Sequence, residues 1–207
     1  MTFVADAVWR LGLAWSDESA LRASWSTARP FGHLVLDDVV DEARLRGMLS
    51  ALDEEPIEQG TAEIYAFEAS KPEPATDALR ALRESFAATF GPPLARITGK
   101  TLRRADMRLY AYREGHHLLP HTDHQEEVGR ALAYAYYLPS PEPPVGGELE
   151  LFTCRVEHGA LVETLPGPVI EPRANRLVVF DVGDLSLHQV REVTSGVRLS
   201  LSGWFYP

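Results

Sequence analysis

Three residues with metal-ligand chemistry, His121, Asp123 and His188, are the natural starting point in this sequence. In an extended segment residues two apart point to one face, so the imidazole of His121 and the carboxylate of Asp123 can converge on a single point. A second imidazole from His188 completes a 2-His-1-carboxylate set. Such a set caps one face of an octahedral ion and leaves the opposite positions open to small ligands, which suits non-haem Fe(II). Zinc also accepts imidazole and carboxylate, so a zinc hydrolase stays in view. His-x-Asp alone carries little specificity, because either side chain can serve as an ordinary hydrogen-bonding group. The order of features adds weight: a strand ending in His-x-Asp, several β segments, a strand with one more histidine, then one with Arg198.

Arg198 and Ser200 are again two apart in an extended segment and can face the same interior. A buried guanidinium needs a partner, and its fork of donors matches a carboxylate in two parallel hydrogen bonds. A ligand carboxylate or an internal Asp or Glu would each meet that need, although zinc hydrolysis gives no reason for such an arginine. His116, His117 and His124 lie beside the motif but exceed the three ligands required, and are read as surface, lid or substrate-side residues. His158 reads as loop surface. Gly146-Gly147 is either a plain turn or a bulge that lets a strand approach the site closely.

The elements that must position these groups divide near residue 100. Val4, Val8, Leu11 and Trp15 fall at helical spacing and predict an N-terminal amphipathic helix. His33 to Asp37 reads as a short strand. Asp41 caps a helix with the stripe Leu45, Met48, Leu49 and Leu52. Glu63 to Glu68 is a strand or ordered loop. Thr76 caps another helix, with the stripe Leu79, Leu82, Phe86 and Phe90, which Gly91-Pro92-Pro93 should end; Pro93 can open one more short turn up to Gly99. From Thr101 the period alternates. Met107, Leu109 and Ala111 alternate with Arg108, Tyr110 and Tyr112, and further strands are expected at residues 131–138, 149–151, 176–180, 186–191 and 197–206. Turns fall at Asn175, Gly183-Asp184 and Ser195-Gly196. Many short strands with regular turns indicate a sandwich or small barrel, and helices placed first should brace one outer face.

The ordered set Leu109-Tyr110-Ala111-Tyr112, Leu119-Pro120-His121-Thr122-Asp123, Tyr136-Tyr137-Leu138, Gly146-Gly147-Glu148-Leu149, Asn175-Arg176-Leu177, Phe180, His188-Gln189-Val190 and Arg198-Leu199-Ser200 resembles the prolyl-hydroxylase-type Fe(II)- and 2-oxoglutarate-dependent oxygenases. The resemblance runs from about Pro30 to the end. The closing run Arg198 to Tyr206 is most similar to the branch that includes peptidyl prolyl 3-hydroxylases acting on a ribosomal protein. Eukaryotic relatives there carry a second, non-catalytic barrel, whereas a single dioxygenase domain is expected here over residues 1–207, with 1–100 as helical support and 101–207 as the core.

The resemblance implies an α+β fold built on a double-stranded β-helix, a jelly-roll or cupin-like barrel braced by N-terminal helices. It implies Fe(II) on His121, Asp123 and His188, with Arg198 on the distal carboxylate of 2-oxoglutarate. Tyr112 and Tyr137 would also contact 2-oxoglutarate, with Tyr134 taking the place of Tyr137 if the strand register slips, and Ser200 would add a hydrogen bond. O2 is the further cosubstrate and ascorbate a stimulant. The implied reaction couples oxidative decarboxylation of 2-oxoglutarate, giving succinate and CO2, to hydroxylation of an unactivated C–H bond in a prolyl residue of a protein or peptide. A free amino acid or small metabolite is the alternative substrate, and a non-catalytic barrel that binds the metal or 2-oxoglutarate is the alternative class. Loops at residues 60–74 and 124–130 are candidates to close over the substrate.

Composition narrows the partners. The 207 residues carry a formal charge of −10 and no basic run, which disfavours nucleic acid and anionic lipid. Cys154 is the only cysteine, read as a small buried hydrophobe; it excludes an intrachain disulfide and fits a reducing compartment. The first residues lack the pattern of a signal peptide and no apolar stretch reaches membrane-span length, so a cytoplasmic setting is expected. Nothing in the sequence specifies an oligomeric state.

Overall fold

The computed structural model describes residues 8–207, and within it one long antiparallel sheet carries almost every strand. Its path is β1 (His33–Leu36), β11 (Leu177–Asp181), β7 (Leu132–Leu138), β14 (Arg198–Tyr206), β5 (Arg108–Tyr112), β3 (Tyr65–Ala69), β6 (His117–His121), β12 (His188–Val190), β9 (Leu149–Glu157) and β10 (Ala160–Ile170). The strand β2 (Glu58–Ala62) forms a hairpin with β3, and β4 (Arg104–Ala105) pairs with β14. A separate pair joins β8 (Val145–Gly146) to β13 (Val193–Ser195).

The sheet curls until distant strands face each other. Ala133, Ala135 and Tyr137 of β7 and Val178 and Phe180 of β11 pack in one cluster with Leu149 and Leu151 of β9, although β9 lies far along the sheet. Alternation on β7 explains how both of its faces are buried. Tyr134 and Tyr136 point outward beneath the helices, while Ala133, Ala135 and Tyr137 point into the barrel. This is the double-stranded β-helix that the alternating sequence and the resemblance led us to expect.

Helices α1 (Glu18–Thr27), α2 (Glu42–Leu52) and α3 (Asp77–Thr98) cover the outer face. Asp41 caps α2 by accepting from Arg44 N at 2.9 Å, and Thr76 caps α3 by accepting from Leu79 N at 3.3 Å. Leu79, Leu82, Phe86 and Phe90 form the buried stripe of α3. Phe86 stacks on Tyr134 with ring centroids 4.4 Å apart, joining the helix to the back of β7.

Several sequence expectations change. Helix α3 does not end at Gly91-Pro92-Pro93 but runs through them to Thr98, closing on Gly99 at φ 74°. A proline disfavours helix in the residue before it by crowding that residue's Cβ and N–H. Gly91 has no Cβ and Pro92 has no N–H, so each lacks one of the clashing groups, and burial of Gly91, Pro93, Leu94 and Ile97 holds the helix together.

Val4 lies outside the described residues. Among residues 8–15 only a 3-10 turn over Leu13–Trp15 is helical, and Leu11 is exposed, so this stretch is not the amphipathic helix its spacing predicted. Trp9 anchors it instead, donating from Nε1 to the Leu82 carbonyl at 3.0 Å. Helix α1, capped by Asp17, was not anticipated; it buries no residue of its own and is tied to α3 by Arg96 and Glu18.

The first hundred residues also supply β1, β2 and β3, so the helical half is not purely helical. Strand β10 contains Pro166 and Pro168, a composition that hides a strand from its sequence; its place at the sheet edge, with a register shift between Pro166 and Val169, tolerates them. Cys154 on β9 is half-buried rather than in the core.

Phe86→Ala removes a fully buried ring that also meets Trp9, Phe90 and Phe205. It is expected to cost about 3–5 kcal/mol, read as a lower urea midpoint.

Candidate active site

Strands β6 and β12 pair antiparallel with His188 directly opposite His121, which brings the two imidazoles together with ring centroids 4.3 Å apart. Asp123 lies just beyond the end of β6. Its Oδ1 is 3.7 Å from His121 Nε2 and its Oδ2 is 3.5 Å from His188 Nε2. All three ligand atoms lie within 4.8 Å of one another. The spacing argument holds in outcome, although Asp123 sits outside the strand.

The tautomers suit a metal. His121 Nδ1 is 2.8 Å from the Leu119 carbonyl and His188 Nδ1 is 2.9 Å from the Ser186 carbonyl. A carbonyl only accepts, so each Nδ1 carries the proton and each Nε2 offers its lone pair toward Asp123. Burial pushes His188 down to about 4, against the pull of the Asp123 carboxylate, which leaves its ring neutral and able to ligate at neutral pH.

A cavity of about 350 Å³ opens beside this cluster. Arg198, Tyr112 and His188 line it together with residues that the sequence reading did not single out: Arg108, Tyr110, Arg130 and Trp204. Their signal was present in part. Arg108 and Tyr110 share the strand face of Tyr112, and Trp204 shares that of Arg198 and Ser200, so period-two parity alone could have placed them.

Arg198 is 3% exposed, and no carboxylate of the described residues lies within 4.0 Å of it. Its guanidinium sits over the rings of Tyr112 and Tyr137, at 4.8 and 4.9 Å, and NH1 reaches Ser200 Oγ at 3.4 Å. Arg198 Nε and the Tyr137 hydroxyl are buried without partners. Register decides between the tyrosines. Tyr137 lies opposite Ser200 and Tyr112 opposite Arg198, whereas Tyr134 turns to the helix side and donates to the Asp106 carbonyl at 2.7 Å. Burial pushes the Tyr112 phenol well up, only partly opposed by Arg198, so it is a neutral hydrogen-bonding group.

The glycine pair is a close-approach device. Gly146 and Gly147 have φ of +83° and +72°; a Cβ on Gly146 would collide with the Glu192 carbonyl oxygen, and one on Gly147 would lie 3.0 Å from Arg198 Cδ. Of the extra histidines, His124 is exposed and 3.3 Å from Asp184, His117 is held by the Gly115 carbonyl, and His116 is half-buried; none joins the cluster. His158 occupies the β9–β10 turn and is exposed. Residues 60–69 belong to the β2–β3 hairpin, while 124–130 contains no strand or helix.

Residues 107–206 match the family model of the 2OG-Fe(II) oxygenase superfamily. The match takes in the barrel strands from β5 to β14 and all three residues of the cluster. Members of that superfamily use Fe(II), 2-oxoglutarate and O2, and the His121, Asp123 and His188 donor set fits the iron. The chain is 34% identical over 190 residues to prolyl 3-hydroxylase OGFOD1 of Mus musculus, an alignment covering 86% of this chain and 33% of that protein. It thus spans about a third of that relative's length. Among solved structures it resembles a Pseudomonas putida prolyl-4-hydroxylase, with TM-score 0.67 and 21% identity over 90% of this chain and 98% of the other. It also resembles a Trichoplax adhaerens prolyl hydroxylase solved with a hypoxia inducible factor peptide, with TM-score 0.68 and 14% identity over 98% and 96% of the two chains. At those identities the structural likeness speaks for the fold. No helix among the described residues is long and apolar enough to cross a membrane.

Gly147→Ala is expected to cost about 2–4 kcal/mol, combining a left-handed backbone with a clash. Gly159→Ala, at φ +80° with open space around it, should cost only about 1–2 kcal/mol. Urea midpoints of the two variants check the difference.

Proposed function

We propose that this oxygenase hydroxylates a prolyl residue of a protein or peptide, with His121, Asp123 and His188 holding Fe(II). Arg198 takes the distal carboxylate of 2-oxoglutarate, helped by the Tyr137 hydroxyl, Tyr112 and Ser200. The observation that carries this reading is the buried Arg198 with no carboxylate of the described residues within 4.0 Å, beside a second unpartnered donor on Tyr137. A dicarboxylate supplies the missing charge and acceptors at once. A zinc hydrolase has no use for that pair. Identity to a mouse prolyl 3-hydroxylase supports the prolyl residue as target.

When bound, the iron and 2-oxoglutarate together activate O2 for hydroxylation of an unactivated C–H bond, releasing succinate and CO2. The chain's own contribution is positional. The Leu119 and Ser186 carbonyls aim the two imidazoles, Arg198 fixes the far end of the cosubstrate, and the apolar lining formed by Leu149, Phe180 and Val190 limits water. Asp123 faces the same cavity as Tyr110 and Trp204, which gives the substrate room beside the metal ligands. One catalytic domain is formed, with α1, α2 and α3 backing the barrel and β1, β2 and β3 part of its sheet, and a cytoplasmic setting accords with a single cysteine.

Anaerobic addition of Fe(II) and then 2-oxoglutarate to the metal-free protein should raise the weak visible charge-transfer band of a chelated keto acid. Arg198→Gln should weaken 2-oxoglutarate binding by on the order of 100-fold and Tyr137→Phe by about tenfold. Tight zinc binding with no such band at any 2-oxoglutarate concentration would sink the proposal.

A further inference from the structure

The cavity is lined by three arginines, Arg108, Arg130 and Arg198, and among the described residues by one carboxylate, Asp123. That imbalance stands inside a chain whose formal charge is −10, so it is local and not a reflection of composition. Two of the three are accounted for. Arg198 is answered by 2-oxoglutarate. Arg130 lies over the Trp204 ring at 3.7 Å, and its NH1 donates to the Asp123 carbonyl at 3.3 Å and stands 3.9 Å from the Asp123 carboxylate.

Arg108 is left over. Its Nε donates to the Ser70 carbonyl at 2.6 Å and its NH1 to the Tyr110 hydroxyl at 3.4 Å, and both partners are neutral. No carboxylate of the described residues comes within 4.0 Å of it. Asp106, two positions earlier, is committed elsewhere, accepting from Trp204 N at 2.6 Å and from the Tyr206 hydroxyl at 2.7 Å.

Position assigns this charge to the substrate. In the β5–β14 ladder Arg198 lies opposite Tyr112, Ser200 opposite Tyr110, and Ser202 opposite Arg108. The two arginines therefore stand at opposite ends of one inward-facing row, about 13 Å apart along the strands. A single 2-oxoglutarate chelating the metal cannot reach both. The Ser70 and Tyr110 contacts engage Nε and NH1 and hold the guanidinium in place on the cavity wall, which Ser202 also lines.

We propose that Arg108 recognises a carboxylate of the substrate close to the carbon that is oxidised. The inference rests on the function proposed above. That carboxylate can be an acidic side chain flanking the target proline, or the α-carboxylate of a terminal or free proline; the chemistry at Arg108 is the same.

The test uses fluorescein-labelled peptide pools with one central proline, flanked by Glu in one pool and by Gln in the other, with a second pair ending in proline as acid or amide. Each is titrated by anisotropy against the full chain loaded anaerobically with Fe(II) and 2-oxoglutarate, then exposed to air and examined by mass spectrometry for gain of one oxygen atom. Wild type should favour the Glu pool over the Gln pool, or the terminal acid over the amide, by about tenfold or more. Whichever pair discriminates names the source of the carboxylate. Arg108→Gln should abolish that preference, Arg108→Lys should restore part of it, and Arg108→Glu should reverse it, with thermal melts reporting folding. Equal binding of both members of both pairs by wild type, while the 2-oxoglutarate band forms normally, overturns the role of Arg108 and leaves the oxygenase reading standing. Absence of the band overturns both.

Discussion

Strand β14 is held on both sides, by β5 and by β7, and its register sets what the barrel contains. Side chains alternate along it, so Arg198, Ser200, Ser202 and Trp204 look inward while Leu199, Leu201 and Phe205 meet the helices. A slip of one residue would turn the guanidinium onto an apolar helix face and the leucines into the cavity. Both outcomes are costly, so the hydrophobic stripe of α3 and the polar lining of the site enforce the same register. The brace behind the sheet is in this sense part of the site.

The second constraint is electrostatic. A buried guanidinium with no counter-charge is costly in the absence of ligand, and the fold carries that cost where a bound acid can relieve it. Tyr112 and Tyr137 present ring faces to Arg198, which holds the cation without neutralising it. Gly147 matters for the same reason, since its missing Cβ is the space that the Arg198 stem occupies. The proposed recognition of a diacid thus rests on what is absent around the arginine as much as on what is present.

The histidines follow a complementary logic. Two backbone carbonyls hold the protons on the Nδ1 side, and burial keeps His188 neutral, so the lone pairs point at the Asp123 carboxylate before any ion arrives. This pre-organised set lines the same cavity as Arg198 and Arg108. The oxidising centre is common to a family, whereas the Arg108 end is where a substrate would be told apart.

Local chemistry in the sequence was enough to determine the capped starts of α2 and α3, the inward parity of Arg198 with Ser200, and the His-x-Asp pair, because capping and alternation depend on residues a few positions apart. Through the resemblance it also carried the ligand set and the barrel. Tertiary structure alone decided the rest. Parity states that a side chain shares a face with its second neighbour, but not which strands will be adjacent; only closure of the sheet sets His188 opposite His121, turns Tyr137 rather than Tyr134 inward, and gathers Arg108, Arg130 and Trp204 around one cavity. The same holds for α3. Gly91-Pro92-Pro93 reads locally as a stop, and burial of the residues on either side overrides it. Propensity is a local quantity and packing a collective one, which is why the chemistry was legible before its surroundings were.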